Sequence, residues 1–487
     1  MAQRVELERP QPFDHLLRQV RTNPQDTAVA SASGDFTYRD LFDHSKRIAS
    51  LLRERGVRPG QVVATDVPAH LQLFFMAALF HEACIGCTYP GPGVLDDRID
   101  WLLTSLPDSG FRQERTVVVD DKFFAQSATE SLAIDANEFE SFDVVCRLLF
   151  SSGTTGTPHA IPFSVSGLET RTKRAEASWM SAGPAMSIIG PQAITGILTA
   201  YSSVASGFPY VAPGVAAETL ELLQRKAIRS AVASPVQLAE LVDHLRDTGA
   251  PKPDSLEIIV SVGSVLPAPL ATEVRRLLAA EILNLYGSSE SGAVTIGVGA
   301  TREPNDMGEV LGHVVIEVVD AVDQVLPAGE VGRLRWRTPE QANHYVGDAS
   351  ASAASFRDGW FYPGDVGRIT AERHILLEGR ETEFVNAGGV KLSPVAIDAF
   401  LLNSPGIRDA AAFQAESPLG LPQVGVAVVT SVPLDVIGLE TAFADRFGGA
   451  TISAVFEVDE IPHNANGKPS RRELAKQYRA ALGAPTL

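Results

Sequence analysis

The chain has 487 residues, enough for about three domains on the usual size prior. Hydrophobic residues make up 45% and charged residues 21%, ordinary globular usage that argues against a disordered chain. Its 41 basic and 59 acidic side chains leave a formal charge of −18, which argues against nucleic acid or an anionic membrane as partner but not against a nucleotide held by a local site.

Residues 1–10 (MAQRVELERP) lack the apolar run of a signal peptide, and no stretch reaches the roughly 18 apolar residues of a membrane span. A helix is predicted over 40–56, where Leu41, Ile48, Leu51 and Leu52 share a face and Gly56 marks the stop. QVVATDV (61–67) follows as a short apolar strand, then a helix over 70–85 whose apolar run 71–80 is broken by His81 and Glu82 and reads as buried. Cys84 and Cys87 form a C-x-x-C at the expected end of that helix, with no further ligand nearby, and read as small packed residues. With Cys146 they make three cysteines and no disulfide framework, which points to a reducing cytoplasm.

The βα alternation continues through TVVVD (116–120), a helix at 219–227 before SAVAS (230–234), and LEIIVSVG (256–263) before a helix at 273–281. Short apolar strands alternating with helices imply a mostly parallel sheet covered on both faces. From about 310 the texture changes. Segments 314–320, 332–338 and 367–378 alternate at period two with turns between them, as in a small antiparallel β unit. The last ~105 residues return to mixed β and α. No internal repeat is visible, and no carrier-protein tail with a phosphopantetheine serine is recognisable, so a freestanding protein is expected.

LLFSSGTTGTPHA (148–160) concentrates Ser151, Ser152, Gly153, Thr154, Thr155 and Gly156 behind an apolar strand. Closely spaced glycines let backbone approach a ligand, and free N–H and hydroxyl groups can surround phosphate oxygens. It is not a Walker loop, because the spacing differs and no lysine follows. Alone, such a loop is more often an exposed turn than a phosphate site.

In sequence, however, SSGTTGTPH resembles the phosphate loop of the adenylate-forming superfamily, which includes acyl-CoA synthetases, peptide synthetase adenylation domains and luciferases. His159 stands where that family usually has lysine, and Ala160 where it usually has glycine. Further stretches resemble the family in the same order. NLYGSSESGAV is similar to its Y-G-x-[ST]-E motif, which implies Tyr286 and Gly287 at adenine, Ser289 near the α-phosphate and Glu290 on Mg²⁺. An aromatic face suits a purine, and a carboxylate among hydroxyls suits a hard cation. VSVGSVLP resembles the small-residue turn edging the adenine and acyl pockets, around Gly263 and Ser264; it reads also as a plain strand end. GWFYPGDVGRI resembles the motif whose aspartate accepts both ribose hydroxyls, here Asp365, with Pro363 replacing a threonine.

GRETEFVNAGGVKLSP looks like the interdomain hinge, implying Arg380 on ribose and phosphate, Thr382 at the hinge position and Gly388 beside the entering thiol. IPHNANGKPSRREL is similar to the C-terminal signature carrying the adenylation lysine, here Lys468, although in isolation it is a surface turn. The resemblance spans roughly 30–475. It implies an α/β fold: an N-terminal core of mostly parallel sheets and helices over 1–380, with a small β-barrel-like subdomain at about 310–380, and a small mobile α+β domain over 381–487.

The implied reaction is ATP-dependent activation of a small carboxylic acid as its acyl-adenylate, then thioester formation with CoA. Phosphopantetheine on a carrier protein is an alternative acceptor, and a catalytically impaired nucleotide- or acyl-binding relative is a rival reading. A Rossmann oxidoreductase lacks its G-x-G-x-x-G. The family's acyl-pocket motif falls at IIGPQAITGIL (188–198), with Gln192 or Ala193 near its usual histidine. No aspartate lies between 179 and 217, so the α-ammonium of an ordinary amino acid would be left unpaired.

Overall fold

The computed structural model describes residues 12–90, 97–106, 109, 111–120, 123, 139–151, 158–180, 183–264, 266–278, 281–299, 305–381, 385–387, 390–416, 422–447, 450–463 and 468–481. The chain divides into two compact units. One comprises Met1–Val232, Ala250–Ile258 and His344–Ala349; the other comprises Ala233–Gly249, Ile259–Asn343 and Ser350–Leu487.

The first unit is built on a sheet in the order Thr116–Val118, Trp101–Thr104, Val62–Asp66, Ile85–Thr88, Val145–Phe150 and Ala160–Ser164. Every neighbouring pair is parallel except the last, an antiparallel hairpin that brackets the glycine-rich loop. Parallel neighbours need helical crossovers. The helix Ala69–His81 provides one, buried from Gln72 to His81 as its apolar run requires. The preceding helix, Tyr38–Glu54, starts at a capping box in which Thr37 and Asp40 satisfy each other's backbone N–H groups. A parallel pair of Ser230–Ala233 with Ala185–Ser187, and a small sheet of Tyr210–Val211, Thr27–Ser31 and Gly34–Thr37, complete its strands among the described residues.

The helix expected over 70–85 is shorter than its hydrophobicity implies. It ends at His81, Ala83 adopts a left-handed φ of 51°, and Ile85–Thr88 is already a strand. Glu82 is buried at this corner because Arg53 Nη2 lies 2.6 Å and His81 Nδ1 2.9 Å from its carboxylate. Cys87 is therefore a sheet residue. All three cysteines are buried, and burial pushes their thiols up to about 12, which makes them unreactive.

The second unit is dominated by antiparallel pairing. Its strands run Phe356–Arg357, Trp360–Phe361, Gly332–Arg337, Asp365–Ile369, His374–Arg380, Asp306–Val310, Gly292–Val298 and Glu281–Ser288, with Val315–Val319 on Gly332–Arg337. The change of texture expected at about 310 thus begins at Glu281, because Glu281–Ser288 already pairs antiparallel with Gly292–Val298. The polar motif at the end of that strand hides its alternation. Trp336, Phe361, Leu334, Ile375 and Val294 form the core beneath these strands.

Further along the same unit, Ile407–Glu416 pairs antiparallel with Pro422–Thr430, which pairs in parallel with Ile452–Glu457. The helices Pro394–Leu402 and Val436–Arg446 pack Ile397, Leu401, Leu439 and Phe443 against that sheet. Arg471, opening the last helix, holds Asp398 with Nη1–Oδ1 at 3.0 Å and Nη2–Oδ2 at 2.5 Å, and also donates to the Ala412 carbonyl at 2.6 Å. Both side chains are mostly buried, so removing one charge strands the other. Asp398→Ala is expected to lower the unfolding free energy of this segment by about 3 kcal/mol, read as an earlier urea midpoint.

Candidate active site

Three of the sequence-predicted residues meet in one hydrogen-bonded cluster. Asp365 and Arg380 lie 15 residues apart but are direct cross-strand partners between Asp365–Ile369 and His374–Arg380. Arg380 Nε stands 2.8 Å from Asp365 Oδ1, and its Nη1 donates to the Pro363 carbonyl at 2.5 Å. Tyr286, on the Glu281–Ser288 strand, donates its hydroxyl to Asp365 Oδ2 at 2.5 Å and makes a T-shaped contact with Trp336, centroids 5.8 Å apart. Burial, and then the Asp365 charge, push the Tyr286 hydroxyl well above its ordinary range, so it stays a donor at any working pH. A carboxylate offers about four lone-pair sites. Asp365 keeps acceptor capacity beyond these two bonds, which suits a pair of vicinal hydroxyls.

Beyond Tyr286 the strand kinks. A Cβ added at Gly287 would lie 2.1 Å from the Gly292 carbonyl oxygen, so only glycine fits. The following turn is tied down by Ser288 Oγ and Ser291 Oγ at 3.0 Å, by Ala342 N–H donating to the Glu290 carbonyl at 2.8 Å, and by Thr338 donating to the Ser291 carbonyl at 2.9 Å. It holds the Glu290 side chain buried, beside a partly buried Ser289. Magnesium takes one or two carboxylates and completes its shell with water and phosphate oxygens. A single buried carboxylate among hydroxyls fits that demand, whereas no three His, Cys, Asp or Glu gather into a protein cage among the described residues. Gly263, at φ 98°, and Ser264 form the turn after Ile258–Val262.

In the first unit the hairpin closes the neck of the glycine-rich loop. Ser151 N–H donates to the His159 carbonyl at 2.9 Å, and His159 N–H donates to Ser151 Oγ at 3.2 Å. Ser152, Gly153, Thr154, Thr155 and Gly156 lie outside the described residues. His159 stacks on Tyr345 with centroids 4.7 Å apart and places Nδ1 3.2 Å from Asp348 Oδ2. An Ala160–Val346 bridge aligns the two segments. Neither Tyr345 nor Asp348 was among the residues singled out from the sequence, since nothing local ties them to position 159.

Gln192 is exposed, and its amide folds back onto the Ile189 carbonyl; Ala193 caps the helix Ile194–Ser206. Lys468 is partly buried, between the His463–Pro469 bridge and the helix Arg471–Ala481. Thr382 and Gly388 lie outside the described residues. Ser151, Gln192 and Ala193 thus belong to the first unit, and Gly263, Ser264, Ser289, Glu290 and Lys468 to the second.

The second unit thus holds a buried acid engaged by a tyrosine and an arginine, and a second buried carboxylate at Glu290. The chain belongs to the AMP-binding enzyme family, whose model matches residues 16–346. It is 25% identical to a fatty acid–[acyl-carrier-protein] ligase of Streptomyces coeruleorubidus, over 93% of this chain and 94% of that protein. It is also 25% identical to 2-succinylbenzoate–CoA ligase of Bacillus subtilis, over 96% of this chain and 98% of that protein. Among solved structures, an anthranilate CoA ligase in complex with anthranoyl-AMP shares the fold with a TM-score of 0.85 at 20% identity, covering 97% of this chain and 98% of that one.

Asp365→Asn keeps the shape of the side chain but removes a charged acceptor. It is expected to weaken AMP binding about tenfold by titration calorimetry. Unchanged affinity in a folded variant would remove Asp365 from the nucleotide site.

Proposed function

We propose that the protein joins a small carboxylic acid to a thiol in two AMP-forming steps. The observation that carries this reading is the Tyr286–Asp365–Arg380 cluster, in a chain of the AMP-binding enzyme family. In the first step a carboxylate oxygen of the acid attacks the α-phosphorus of ATP, the bond to the β-phosphate oxygen breaks, and pyrophosphate leaves. In the second, a thiol sulfur attacks the acyl carbonyl and loses its proton, while AMP departs with the electrons of the broken C–O bond.

Tyr286 and Gly287 would face the adenine, with the Gly263–Ser264 turn at its edge, and Asp365 and Arg380 would hold the ribose. The Ser151–Gly156 loop would surround the leaving phosphates. Both reactants are anions, so positioning and charge neutralisation carry the catalysis. Magnesium held by Glu290 would supply positive charge at the phosphates. Ser289 would donate beside the α-phosphate, and the Lys468 ammonium would meet charge developing on its equatorial oxygens.

The loop bearing Gln192 and Ala193 would line the acyl pocket. A boundary near 380/381 would let the segment 381–487 turn about Thr382, withdrawing Lys468 and admitting the thiol past Gly388. CoA is the proposed acceptor, supported by the CoA ligases among the relatives; a carrier protein's phosphopantetheine is the alternative, supported by the carrier-protein ligase. The three cysteines without a disulfide support a cytoplasmic location, and no described helix is long and apolar enough to cross a membrane. A second reading, a nucleotide- or acyl-binding relative of low activity, draws on His159, which Asp348 and Tyr345 engage where the family's lysine is usual.

Pyrophosphate release from MgATP over a panel of acids separates the readings. Release that depends on the acid, and drops roughly 100- to 1,000-fold in Lys468→Ala, is expected. No release with any acid favours the binding relative, and release indifferent to that substitution removes the lysine from catalysis. Adding CoA, or a phosphopantetheinylated carrier protein, then identifies the acceptor by thioester formation.

A further inference from the structure

The first unit contains a charge that its described residues leave unanswered. Arg147 sits in the middle of the apolar strand Val145–Phe150 and is 4% exposed. A guanidinium stays protonated, and an unpaired buried charge is costly. Yet its one described hydrogen bond is a long one, Nη2 to the Pro191 carbonyl at 3.4 Å, and its Nε is buried without a partner. The ionisable groups that face it are Cys87, Cys146 and Tyr210; no described carboxylate does.

Arg147 lines a small cavity together with Tyr210, Gln72, Leu73, Met76 and Pro191. The Tyr210 hydroxyl is a second buried group without a partner. Gln72 is occupied, since its amide donates to the Val67 carbonyl and its oxygen accepts from Thr65. The cavity therefore presents a fixed cation and one free hydroxyl among apolar walls. Its interior is ≈ 10 Å³, room for about one water-sized atom, so it admits one carboxylate oxygen and not a whole acid. Water could fill that space but would not neutralise the charge.

Position says where the anion comes from. Pro191 belongs to the loop that carries Gln192 and Ala193, and another wall residue, Ala200, comes from the helix Ile194–Ser206 that Ala193 caps. The cavity thus adjoins the loop assigned above to the acyl group, and a planar guanidinium is suited to a carboxylate. We propose that Arg147 receives the second carboxylate of a dicarboxylic acid substrate, with the Tyr210 hydroxyl as a further donor. This rests on the acid-activating reading, and names the substrate class. An inorganic anion from solution offers similar chemistry, and the test separates the two.

The full-length protein is assayed with two matched series: sodium succinate, glutarate and adipate against butyrate, valerate and hexanoate. Pyrophosphate release from MgATP gives kcat/KM, and the melting temperature without nucleotide reports binding independently of turnover. The best diacid is expected to exceed its monoacid by roughly 10- to 100-fold in kcat/KM. Arg147→Met should abolish that ratio mainly through KM, whereas Arg147→Lys should retain part of it and Tyr210→Phe should reduce it. The best diacid should raise the melting temperature in wild type and not in Arg147→Met.

Monoacids used as well as diacids would overturn the proposal, as would an Arg147→Met variant that slows both series by one factor. An Arg147-dependent rise with sodium chloride equal to that with diacids would assign the cavity to an adventitious ion only. If no acid releases pyrophosphate, the activation reading fails by itself, and an Arg147-dependent melting shift specific to diacids still supports the site. Should Arg147→Met not fold, Arg147→Lys and Tyr210→Phe decide: an unchanged diacid preference in both overturns the assignment.

Discussion

The site in the second unit depends on one cross-strand register. Because Asp365 faces Arg380 directly, the guanidinium reaches the carboxylate at 2.8 Å, and the carboxylate is fixed where the Tyr286 hydroxyl can donate to it. A slip of one residue would turn every side chain of a strand to the opposite face. The register is held from beneath by Trp336, Phe361 and Ile375, and Trp336 also meets the Tyr286 ring in a T-shaped contact. Core packing and the geometry of the cluster are therefore one constraint here. The buried Asp365 charge is tolerable because a cation and a hydroxyl answer it, and their geometry leaves acceptor capacity for a ligand.

A different device operates at Glu290. Its backbone carbonyl is bonded to Ala342, and Ser291 next to it is bonded to Thr338, so a segment some fifty residues downstream sets the turn. Gly287 makes the turn possible by admitting the Gly292 carbonyl at a distance no Cβ permits. Together these fix the backbone of the turn that carries the buried Glu290 carboxylate.

Much of this was legible in the sequence, for reasons that also explain what was not. The βα alternation could be read because period and turn residues act locally, and the motif residues Tyr286, Asp365 and Arg380 were identified by resemblance before their contact was visible. Ala83 was not readable as a helix stop, since a left-handed alanine carries no local signal and the break follows from burying Glu82 against Arg53 and His81. The antiparallel start at Glu281 was masked by the polar motif that ends its strand. Tyr345 and Asp348 lie nearly two hundred residues from His159, and only the fold brings them together. Arg147 did leave a trace, a lone cation in the apolar run VVCRLLF; periodicity shows such a residue to be buried without showing what answers it.

A chain of net charge −18 that binds a triphosphate poses an electrostatic problem whose solution lies in short distances. At physiological salt the screening length is about 8 Å, so the acidic surface acts weakly on a ligand held in a pocket. What acts is the charge within a few ångströms. Arg380 is already committed to Asp365, and that pair carries almost no net charge. On the proposed assignment, neutralising the phosphates would fall to groups outside the cluster, to the cation that Glu290 is suited to hold and to the Lys468 ammonium. The ribose end of the proposed site would then be neutral and prebuilt. On the proposed reading the phosphate end would assemble its charge only when ligand, metal and the C-terminal lysine come together, which would confine the strongest electrostatic stabilisation to the moment of reaction.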